Sequence, residues 1–558
     1  MPPHRKKGSG GMVRREFLRG LLASGAALGV GACGGGSGPA SIAQGGVGSA
    51  PAPAPAPAPT PTPPPVPTLR GITIEQAQAE IAAPFASATE WLDAARTPQT
   101  EIVVTNADQF QAAVDRMFDI ASNAQALATN QRIVCAWTGP SMLAGGIAAR
   151  ITVGAKALAS AHLESGGSLV VAAAPGYAPD FANAVYVSGR GIRFQGIGFT
   201  RKALAVENAD AMNAVTLLRN ATYPVTGFVA FEGCAFGSRS YSAQSADAAW
   251  VNGIATAGQV ADHVSLKSCT FIGQQNAVKI VAKTLRIDGC DFQAVLQDCV
   301  GLYGHTFETG YYAHAWVSRS TFRNAPDEWA ARSAHSDTIQ TGTRGDRHLG
   351  YRLLVTDVYT HLGRSYSGEV GLGGGTQGIY NDDHITADNQ FVVRRSIFLV
   401  TAPHGFSYFS PRASRPSFVD QSVFTRAGRV PSAFAPDVVS QDMAIGITGS
   451  EPTGGPWLLV TDTIAKNMMT AGSIEVASVD PRRADIIAAP ERPETIFAGR
   501  DFGRGIAAVN GIAGKFGYQL PNETGSQARF VADVWANFQT QASYAGQGLP
   551  NPTALAWG

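Results

Sequence analysis

A short pattern recurs along the middle of the chain and decides its fold. Three successive copies read Phe231-Glu232-Gly233-Cys234-Ala235-Phe236, Leu266-Lys267-Ser268-Cys269-Thr270-Phe271 and Ile287-Asp288-Gly289-Cys290-Asp291-Phe292. Each copy alternates in polarity, passes through two small or turn-forming residues and ends on an aromatic residue. Two short strands joined by a tight turn fit this pattern. Its recurrence predicts a solenoid of stacked coils.

The pattern continues on both sides of these three copies. The unequal spacing between copies argues against a β-propeller, whose blades each need four strands. We therefore predict an all-β fold, a right-handed parallel β-helix, in which the thiols of Cys234, Cys269 and Cys290 stack inward on successive coils. The remaining copies are Phe194–Phe199, Val317–Phe322, Val355–Tyr359, Val393–Phe398, Asp420–Phe424 and Val460–Ile464.

The charge balance limits the classes of partner. Lys and Arg number 43 against 42 Asp and Glu, which gives a net charge of +1. No long-range field results that would gather nucleic acid, so no nucleic-acid partner is predicted. Five cysteines follow Cys33, and this odd count argues against a disulfide framework. We expect packed thiols and a monomer.

The N-terminus carries the marks of an export signal. Arg14-Arg15-Glu16-Phe17-Leu18-Arg19 resembles the twin-arginine signature, and an apolar stretch from Leu21 to Ala32 follows that is too short to span a membrane as a helix. Val30-Gly31-Ala32-Cys33 resembles a bacterial lipobox. We therefore expect lipidation at Cys33 and anchoring to the bacterial cell envelope, in the periplasm or at the cell surface. A plain signal with a chance cysteine is the alternative.

Composition and periodicity divide the chain into segments. A Gly/Ser-rich and then Pro/Ala-rich stretch cannot pack a core and favours extended polyproline II, so it is predicted to be a disordered linker. The predicted segments are 1–33, the signal with its lipobox; 34–68, the linker; 69–140, an N-terminal helical cap region; 141–479, the parallel β-helix; and 480–558, a C-terminal capping segment with one helical pattern at 527–538.

Two capping boxes predict helices in the N-terminal region. They are Thr73-Ile74-Glu75-Gln76 and Asn106-Ala107-Asp108-Gln109, and the second opens Phe110, Val114 and Met117 at helical spacing.

A second series of short strands lies between the copies of the first. In each strand the third residue is apolar and predicted to point inward, so the second and fourth point outward, while the first lies at the turn. The strands are Asn276–Ile280, Asp298–Leu302, Asp337–Thr341, Gln377–Asn381 and His404–Tyr408. The first residues form one predicted row, Asn276, Asp298, Asp337, Gln377 and His404, and the fourth residues form another, Lys279, Gly301, Gln340, Tyr380 and Ser407.

Ionisable and sugar-binding residues concentrate around this second series. Six of the ten histidines fall between His305 and His384. Coils stack about 4.8 Å apart, so rows of such residues would form a continuous surface for an extended polymer. The other members are Tyr303, Arg344, Arg347, Arg364, Tyr366, Asp382, Asp383, Arg394 and Arg395.

Two of these strands carry a family resemblance. His335-Ser336-Asp337-Thr338-Ile339-Gln340 together with Gln377-Gly378-Ile379-Tyr380 resembles the pectate-lyase-like superfamily of β-helix proteins. The extended Ile102-Val103-Val104 ahead of a helix resembles the entry strand and N-terminal cap of that group. The resemblance covers most of 103–467. It implies a groove along the strand face that binds an acidic polysaccharide.

A lyase is the first mechanism that this surface predicts. A base removes the proton α to a uronate carboxyl while a cation neutralises the carboxylate, and the glycosidic oxygen leaves by β-elimination. The catalytic prediction centres on His335, Asp337, Gln340, His361 and Arg364. Further candidate bases are His384 and Tyr366, and further carboxylate partners are Arg344 and Lys279. Substrate-binding candidates are Lys279, Asp298, Tyr303, Arg344, Tyr366, Tyr380 and His404. Ca²⁺ remains an open cofactor, held by Asp382 and Asp383, with Asp337 as a further oxygen ligand.

An inverting glycoside hydrolase is the second mechanism. Asp298 and Asp337 occupy equivalent positions on neighbouring repeats, and two carboxylates about 6.5–9.5 Å apart would suit inversion. Asp298-Cys299-Val300-Gly301-Leu302 resembles a strand of the polygalacturonases. The chain departs from that family because Gln340 stands where a further catalytic aspartate is expected, and its Gly-His-Gly and Arg-Ile-Lys motifs are missing.

Structural and non-catalytic alternatives remain open. Asp298 and Asp337 fit equally a role in capping turns, as Asn and Asp do in stacked ladders. Asp382-Asp383-His384 fits a solvated loop, and His263 and His314 fit ordinary surface or turn positions. A carbohydrate-binding surface protein held out on a Pro-Ala stalk is the non-enzymatic alternative.

Overall fold

The computed structural model places the chain in parallel β-sheets built from short strands. All described residues lie within the unit Pro63–Gly558. The described residues are 66, 68–93, 98–118, 130–154, 168–200, 213–219, 226–237, 252–258, 260–293, 295, 297–303, 311–323, 335–342, 350–362, 375–382, 388–400, 404–408, 410, 412–420, 422–426, 443–447, 457–461, 464–465 and 474–477.

The first sheet runs the length of the described fold, and its strands pair in parallel. They are β3 Thr100–Val104, β4 Asn130–Cys135, β7 Ser168–Ala173, the second half of β9 Ala184–Gln195, β12 Thr226–Glu232, β15 Ala261–Lys267, β18 Ala282–Asp288, β21 Tyr312–Ser318, β24 Gly350–Thr356, β27 Gln390–Arg394, β30 Ser417–Asp420, β33 Leu458–Thr461 and β35 Ile474–Ala477.

Among the described residues, the second sheet has 11 strands, all parallel. They are β5 Thr138–Ser141, β8 Ala178–Phe181, β10 Gly198–Phe199, β13 Ala235–Gly237, β16 Thr270–Ile272, β19 Asp291–Gln293, β22 Thr321–Arg323, β25 Tyr359–Leu362, β28 Ile397–Val400, β31 Val423–Arg426 and β34 Ile464–Ala465.

The third sheet is also parallel. Its strands are β6 Arg150–Gly154, the first half of β9, β11 Asn213–Arg219, β14 Asn252–Gly258, β17 Val278–Lys279, β20 Val300–Tyr303, β23 His335–Gly342, β26 Gly375–Asp382, β29 His404–Tyr408 and β32 Met443–Ile447. From β9 to β34 the chain visits the third, first and second sheets in strict rotation, once per coil. The predicted parallel solenoid is therefore confirmed.

A two-residue turn joins the first sheet to the second on successive coils. Its first residue adopts a positive φ, as at Gly233 (60°), Ser268 (52°) and Gly289 (63°), which is the left-handed conformation that lets two parallel sheets meet at a sharp corner. The second turn residue points inward. The thiol of Cys269 donates to the Phe231 carbonyl of the previous coil at 3.3 Å, and that of Cys290 to Leu266 at 3.4 Å. The predicted cysteine ladder is confirmed.

All five described cysteines are buried and free. Burial raises the pKa of the Cys269 thiol well above its usual range. The packed-thiol prediction holds for these residues.

Phenylalanines of the second sheet stack along the core. Ring centroids lie 4.5 Å apart for Phe236 and Phe271, 4.7 Å for Phe271 and Phe292, and 4.6 Å for Phe292 and Phe322. Such offset stacks add to the area that each ring buries. The sequence series was wrong at two copies, because Phe322 pairs with Thr360 rather than Tyr359, and Phe424 pairs with Ala465 rather than Ile464.

Within the part of the chain that the structure describes, two helices precede or interrupt the first coils. Helix α1 spans Ile74–Asp93 and helix α2 spans Ala107–Phe118. Thr73 and Gln76 exchange the two hydrogen bonds of a capping box, at 2.8 and 3.2 Å. At α2 the Asn106 side chain caps the Gln109 amide at 2.9 Å, but the Gln109 side chain accepts from Thr105 instead of Asn106.

Helix α2 packs against the first coils. Its Phe110 is fully buried, with its ring centroid 4.7 Å from that of Phe181. The Gln111 side chain donates to the Thr152 carbonyl at 3.1 Å and accepts from the Thr152 amide at 2.8 Å, so it pairs with β6 as a strand would.

Strands β3 and β4 already belong to the first sheet, so the sheets start ahead of the expected boundary at residue 141. A hairpin of β1 Thr68–Leu69 and β2 Ile72–Thr73 leads into α1. Its turn residues, Arg70 and Gly71, both have positive φ (53° and 74°), as a type I′ turn requires. The segments 1–33, 34–65 and 480–558 lie outside the described residues.

Candidate functional site

The third sheet aligns the fourth residues of the predicted strands. Lys279 pairs with Gly301, Gly301 with Gln340, and Gln340 with Tyr380. This row of four residues, called the outer row below, spans three coil steps, or about 14 Å at the usual strand spacing. The predicted alignment is confirmed. The third residues are fully buried as predicted: Val278, Val300, Ile339, Ile379 and Phe406 are each 0% exposed.

The second residues of these strands were predicted to point outward, and this was wrong. Ala277 and Cys299 belong to the hydrophobic core, and Thr338 is fully buried as well. Ala277 and Cys299 lie at the corner where the chain enters the third sheet, and strand alternation does not hold across a corner. Thr338 lies inside β23 and is buried there.

Two of the predicted first residues, Asn276 and Asp298, continue a buried polar ladder that begins with Asn213 and Asn252 on earlier coils. This set of four is called the amide ladder below. The Asn252 amide donates to Asn213 Oδ1 at 3.0 Å, and the Asn276 amide donates to Asn252 Oδ1 at 2.9 Å. The Asp298 backbone N–H donates to Asn276 Oδ1 at 3.3 Å. The ladder satisfies polar groups at one corner of successive coils, and at Asp298 it is the Asn276 side chain that caps the backbone N–H.

Asp337 takes the next position along this ladder, since the Cys299 N–H donates to the Asp337 carbonyl at 2.9 Å. Asp298 is 5% exposed and Asp337 is 0% exposed. Both carboxylates are thus interior groups of the corner.

Side-chain exposure differs along the outer row. Lys279 and Tyr380 are half-buried, whereas Gln340 is buried at 4% exposure. Gly301 has no side chain, so the surface between Lys279 and Gln340 is backbone. Gly301 and Gln340 are both buried, so the Lys279 ammonium and the Tyr380 hydroxyl are the groups of the row that can bind a carboxylated sugar.

The strand register of the third sheet also aligns a second row of residues that the sequence did not predict to be neighbours. Tyr303 pairs with Gly342, and Gly342 pairs with Asp382. Tyr303 was predicted to bind substrate and Asp382 to bind metal, yet the backbone places them in one row two residues beyond the outer row. Extending the predicted strands by two or more residues, to the lengths of β20, β23 and β26, would have revealed this second row.

The backbone separates two of the predicted catalytic histidines. His335 begins β23 of the third sheet and pairs with Gly375. His361 lies in β25 of the second sheet and pairs with Arg323 and Leu399. The expectation that His361 belongs with the third-sheet face is therefore corrected. His404 begins β29 of the third sheet and pairs with Met443.

Some predicted residues lie outside the described residues: Cys33, Arg344, Arg364, Tyr366, Asp383 and His384. Across the described part of the chain, no group of three or more His, Cys, Asp or Glu is arranged to hold a metal ion. Among the same residues, no helix is long and apolar enough to cross a membrane.

A buried ionic network at the entry to the first sheet was missed by the sequence. The Asp388 carboxylate accepts from Tyr312 Oη at 2.8 Å and from the Ser414 amide at 2.9 Å, and Arg352 Nη2 lies 3.3 Å away. Burial alone would raise the pKa of Asp388, but the Ser414 hydrogen bonds and the Arg352 charge hold it below its ordinary value. These partners are far apart in sequence, so no local pattern marks them.

Comparison with protein-family models, with curated proteins and with solved structures found no match.

Proposed function

We propose that the chain is an exported, lipid-anchored β-helix protein that cleaves a uronic-acid-containing polysaccharide by β-elimination along its third sheet. The outer row is the observation that supports the proposal, because its two half-buried polar members, Lys279 and Tyr380, lie in one register three coil steps apart. A row of this length suits an extended chain of repeating sugars better than a small molecule.

The proposal includes a right-handed winding and a closed N-terminal end. Parallel strands joined by crossovers are right-handed in nearly all known cases, which supports the handedness. Helix α2 closes the first coil in this proposal, supported by the burial of Phe110 and by the bonds between Gln111 and β6. Such a closure protects an otherwise open sheet edge.

The proposed reaction needs two roles. Lys279 neutralises the uronate carboxylate, which acidifies the proton on the adjacent carbon. A base removes that proton, a carbon–carbon double bond forms, and the bond to the glycosidic oxygen breaks. The leaving oxygen then takes a proton from an acid or from water. His335, which begins the strand that carries Gln340 and lies five residues before it, is the proposed base on the basis of its residue type.

The hydrolase alternative ranks second. Asp298 and Asp337 lie on neighbouring coils, with backbones about one strand spacing of 4.8 Å apart. Their low exposure (5% and 0%) keeps both carboxylates from a glycosidic oxygen on the outer face. A carbohydrate-binding protein without turnover is the third candidate, and assays for both cleavage and binding separate it from the enzymes.

The test is the ultraviolet absorbance of the unsaturated uronate, followed on a panel of acidic polysaccharides with and without Ca²⁺. Lys279→Gln should lower kcat by about 10²–10³-fold, the effect typical of removing one charge-stabilising group. Lys283→Gln is the matched control, since Lys283 lies on the first sheet and forms a half-exposed ion pair with Asp262 at 3.2 Å. Equal activity of both variants would contradict the assignment of Lys279.

A further inference from the structure

The segment Thr68–Asp93, called the strap below, lies against the outer face of the first sheet. Leu69, Ile74, Ala77 and Ile81 of the strap are buried in a hydrophobic cluster of their own, separate from the main core. The cluster is completed by outward-facing residues of four successive first-sheet strands: Leu354, Val392, Phe418 and Leu459. The strap thus covers an apolar row that would otherwise face water.

Polar contacts fix the strap on both sides of this cluster. Arg394 donates to Gln78 Oε1 at 3.0 Å and lies 3.2 Å from Glu75 Oε1. Arg415 pairs with Glu80 at 2.8 Å. Acidic and amide groups of the helix therefore face basic groups of the sheet, and this complementarity sets the register of the strap.

The strap continues towards earlier coils. The His314 Nδ1 atom lies 3.2 Å from the Ile81 carbonyl oxygen, and the Phe85 and Trp316 rings meet edge to face at 5.8 Å. At the other end the Arg70 guanidinium lies 3.4 Å from the centroid of the Trp457 ring. The strap thus crosses the coils from β33 back to β21, and α1 also contacts the earlier strands β18, β12 and β9.

Three of these coils carry residues of the outer row, namely Gly301, Gln340 and Tyr380. Strand β21 follows β20 with Gly301, β24 follows β23 with Gln340, and β27 follows β26 with Tyr380. The strap contacts all three of these first-sheet strands through Trp316, Leu354 and Arg394.

We propose that the strap is a closing device that locks the coils bearing the candidate site. The residues it joins are separated by 231 positions, for Phe85 and Trp316, to 387 positions, for Arg70 and Trp457. The strap therefore docks only after the chain has wound through β33, because no earlier coil completes its binding surface. Docking then opposes the opening of β21 to β33. That this would hold the candidate site together for catalysis rests on the proposed function. That docking opposes the opening of the sheets does not.

Hydrogen exchange of the full chain tests the lock. Ile81→Asp places a charge at a fully buried position, so amide exchange in β24, β27 and β30 should rise by about ten- to hundredfold, as expected when buried contacts are lost. Strands β4 and β7, at the far end of the first sheet, should keep their exchange rates. Ala83→Asp adds the same charge on the exposed face of α1 and should change none of these rates.

A charge reversal covers the case in which Ile81→Asp fails to fold. Glu80→Arg should speed exchange in β30 about threefold, and adding Arg415→Glu should restore the original rate, since exposed pairs contribute modestly. The proposal is overturned if α1 exchanges freely in Ile81→Asp while β24, β27 and β30 keep their protection, or if Glu80→Arg has no effect. Neither readout requires turnover, so a failed lyase assay leaves this test intact.

Discussion

Two threonines at neighbouring positions of the second sheet give opposite predictions for the same substitution. Thr360 continues the phenylalanine stack between Phe322 and Phe398, is 0% exposed, and its hydroxyl has no hydrogen-bond partner among the described residues. Thr321, one coil earlier, is also 0% exposed, but its hydroxyl donates to Asp291 Oδ1 at 2.7 Å.

The magnitudes follow from these environments. A buried hydroxyl without a partner costs about 1–3 kcal/mol, so Thr360→Val should stabilise the fold by about 1–2 kcal/mol with little change in shape. Thr321→Val removes a hydrogen bond to a carboxylate and should destabilise it by about 1.5–3 kcal/mol. The free energies of unfolding of the two variants should therefore differ by about 2.5–5 kcal/mol.

Urea unfolding of both variants, followed by circular dichroism, measures the difference. A shift of the midpoint to higher urea for Thr360→Val and to lower urea for Thr321→Val is the expected result. Destabilisation of both variants to a similar degree would refute the reasoning, because it would mean that the Thr360 hydroxyl is satisfied in the folded protein.

Three further predictions concern the core, the acid response and the anchor. Phe292→Ala should cost about 3–5 kcal/mol in urea unfolding, because the ring is fully buried between two stacked neighbours; a cost below about 1 kcal/mol would contradict the stack. The pKa of Asp388 is lowered in the folded protein, so this carboxylate stabilises the fold above its ordinary pKa, and that stabilisation is lost as pH falls through the folded-state pKa. Asp388→Asn should therefore lower the free energy of unfolding at neutral pH and reduce its further fall on acidification. An unchanged dependence of that free energy on pH would contradict this prediction. Cys33→Ser should move the protein from the membrane fraction to the soluble fraction after cell lysis, whereas retention in the membrane would exclude the proposed lipid anchor.

The repeat pattern carried most of the architecture. Alternation within each copy and the recurrence of a Gly, Ser or Cys turn were enough to predict parallel coils, the cysteine ladder and the alignment of Lys279 with Gln340. These features are local, because each coil stacks on its neighbour with the same few residues at the corner.

Corners are where the sequence prediction failed. The turn at Asp357, with φ 57°, sets the register of β25 and places Thr360 rather than the aromatic Tyr359 in the stack. Residue type favoured the aromatic side chain, whereas the backbone of the turn decides which residue faces inward. The backbone at a corner likewise directs the side chains of Ala277 and Cys299 into the hydrophobic core.

Long-range docking could not be predicted at all. The capping box at Thr73 predicts where α1 begins, but its partners Arg394 and Arg415 lie more than 300 residues away. The burial of Asp337 was likewise hidden, because His335 beside it suggested a surface site, whereas the position follows the amide ladder into the corner.

The most direct test of the proposed function is the appearance of the unsaturated uronate when the purified protein is mixed with acidic polysaccharides. The account predicts a rise in ultraviolet absorbance on at least one uronate polymer, abolished or strongly reduced in Lys279→Gln and His335→Ala and retained in Lys283→Gln. New reducing ends without that absorbance, or tight binding without any cleavage across the panel, would contradict it.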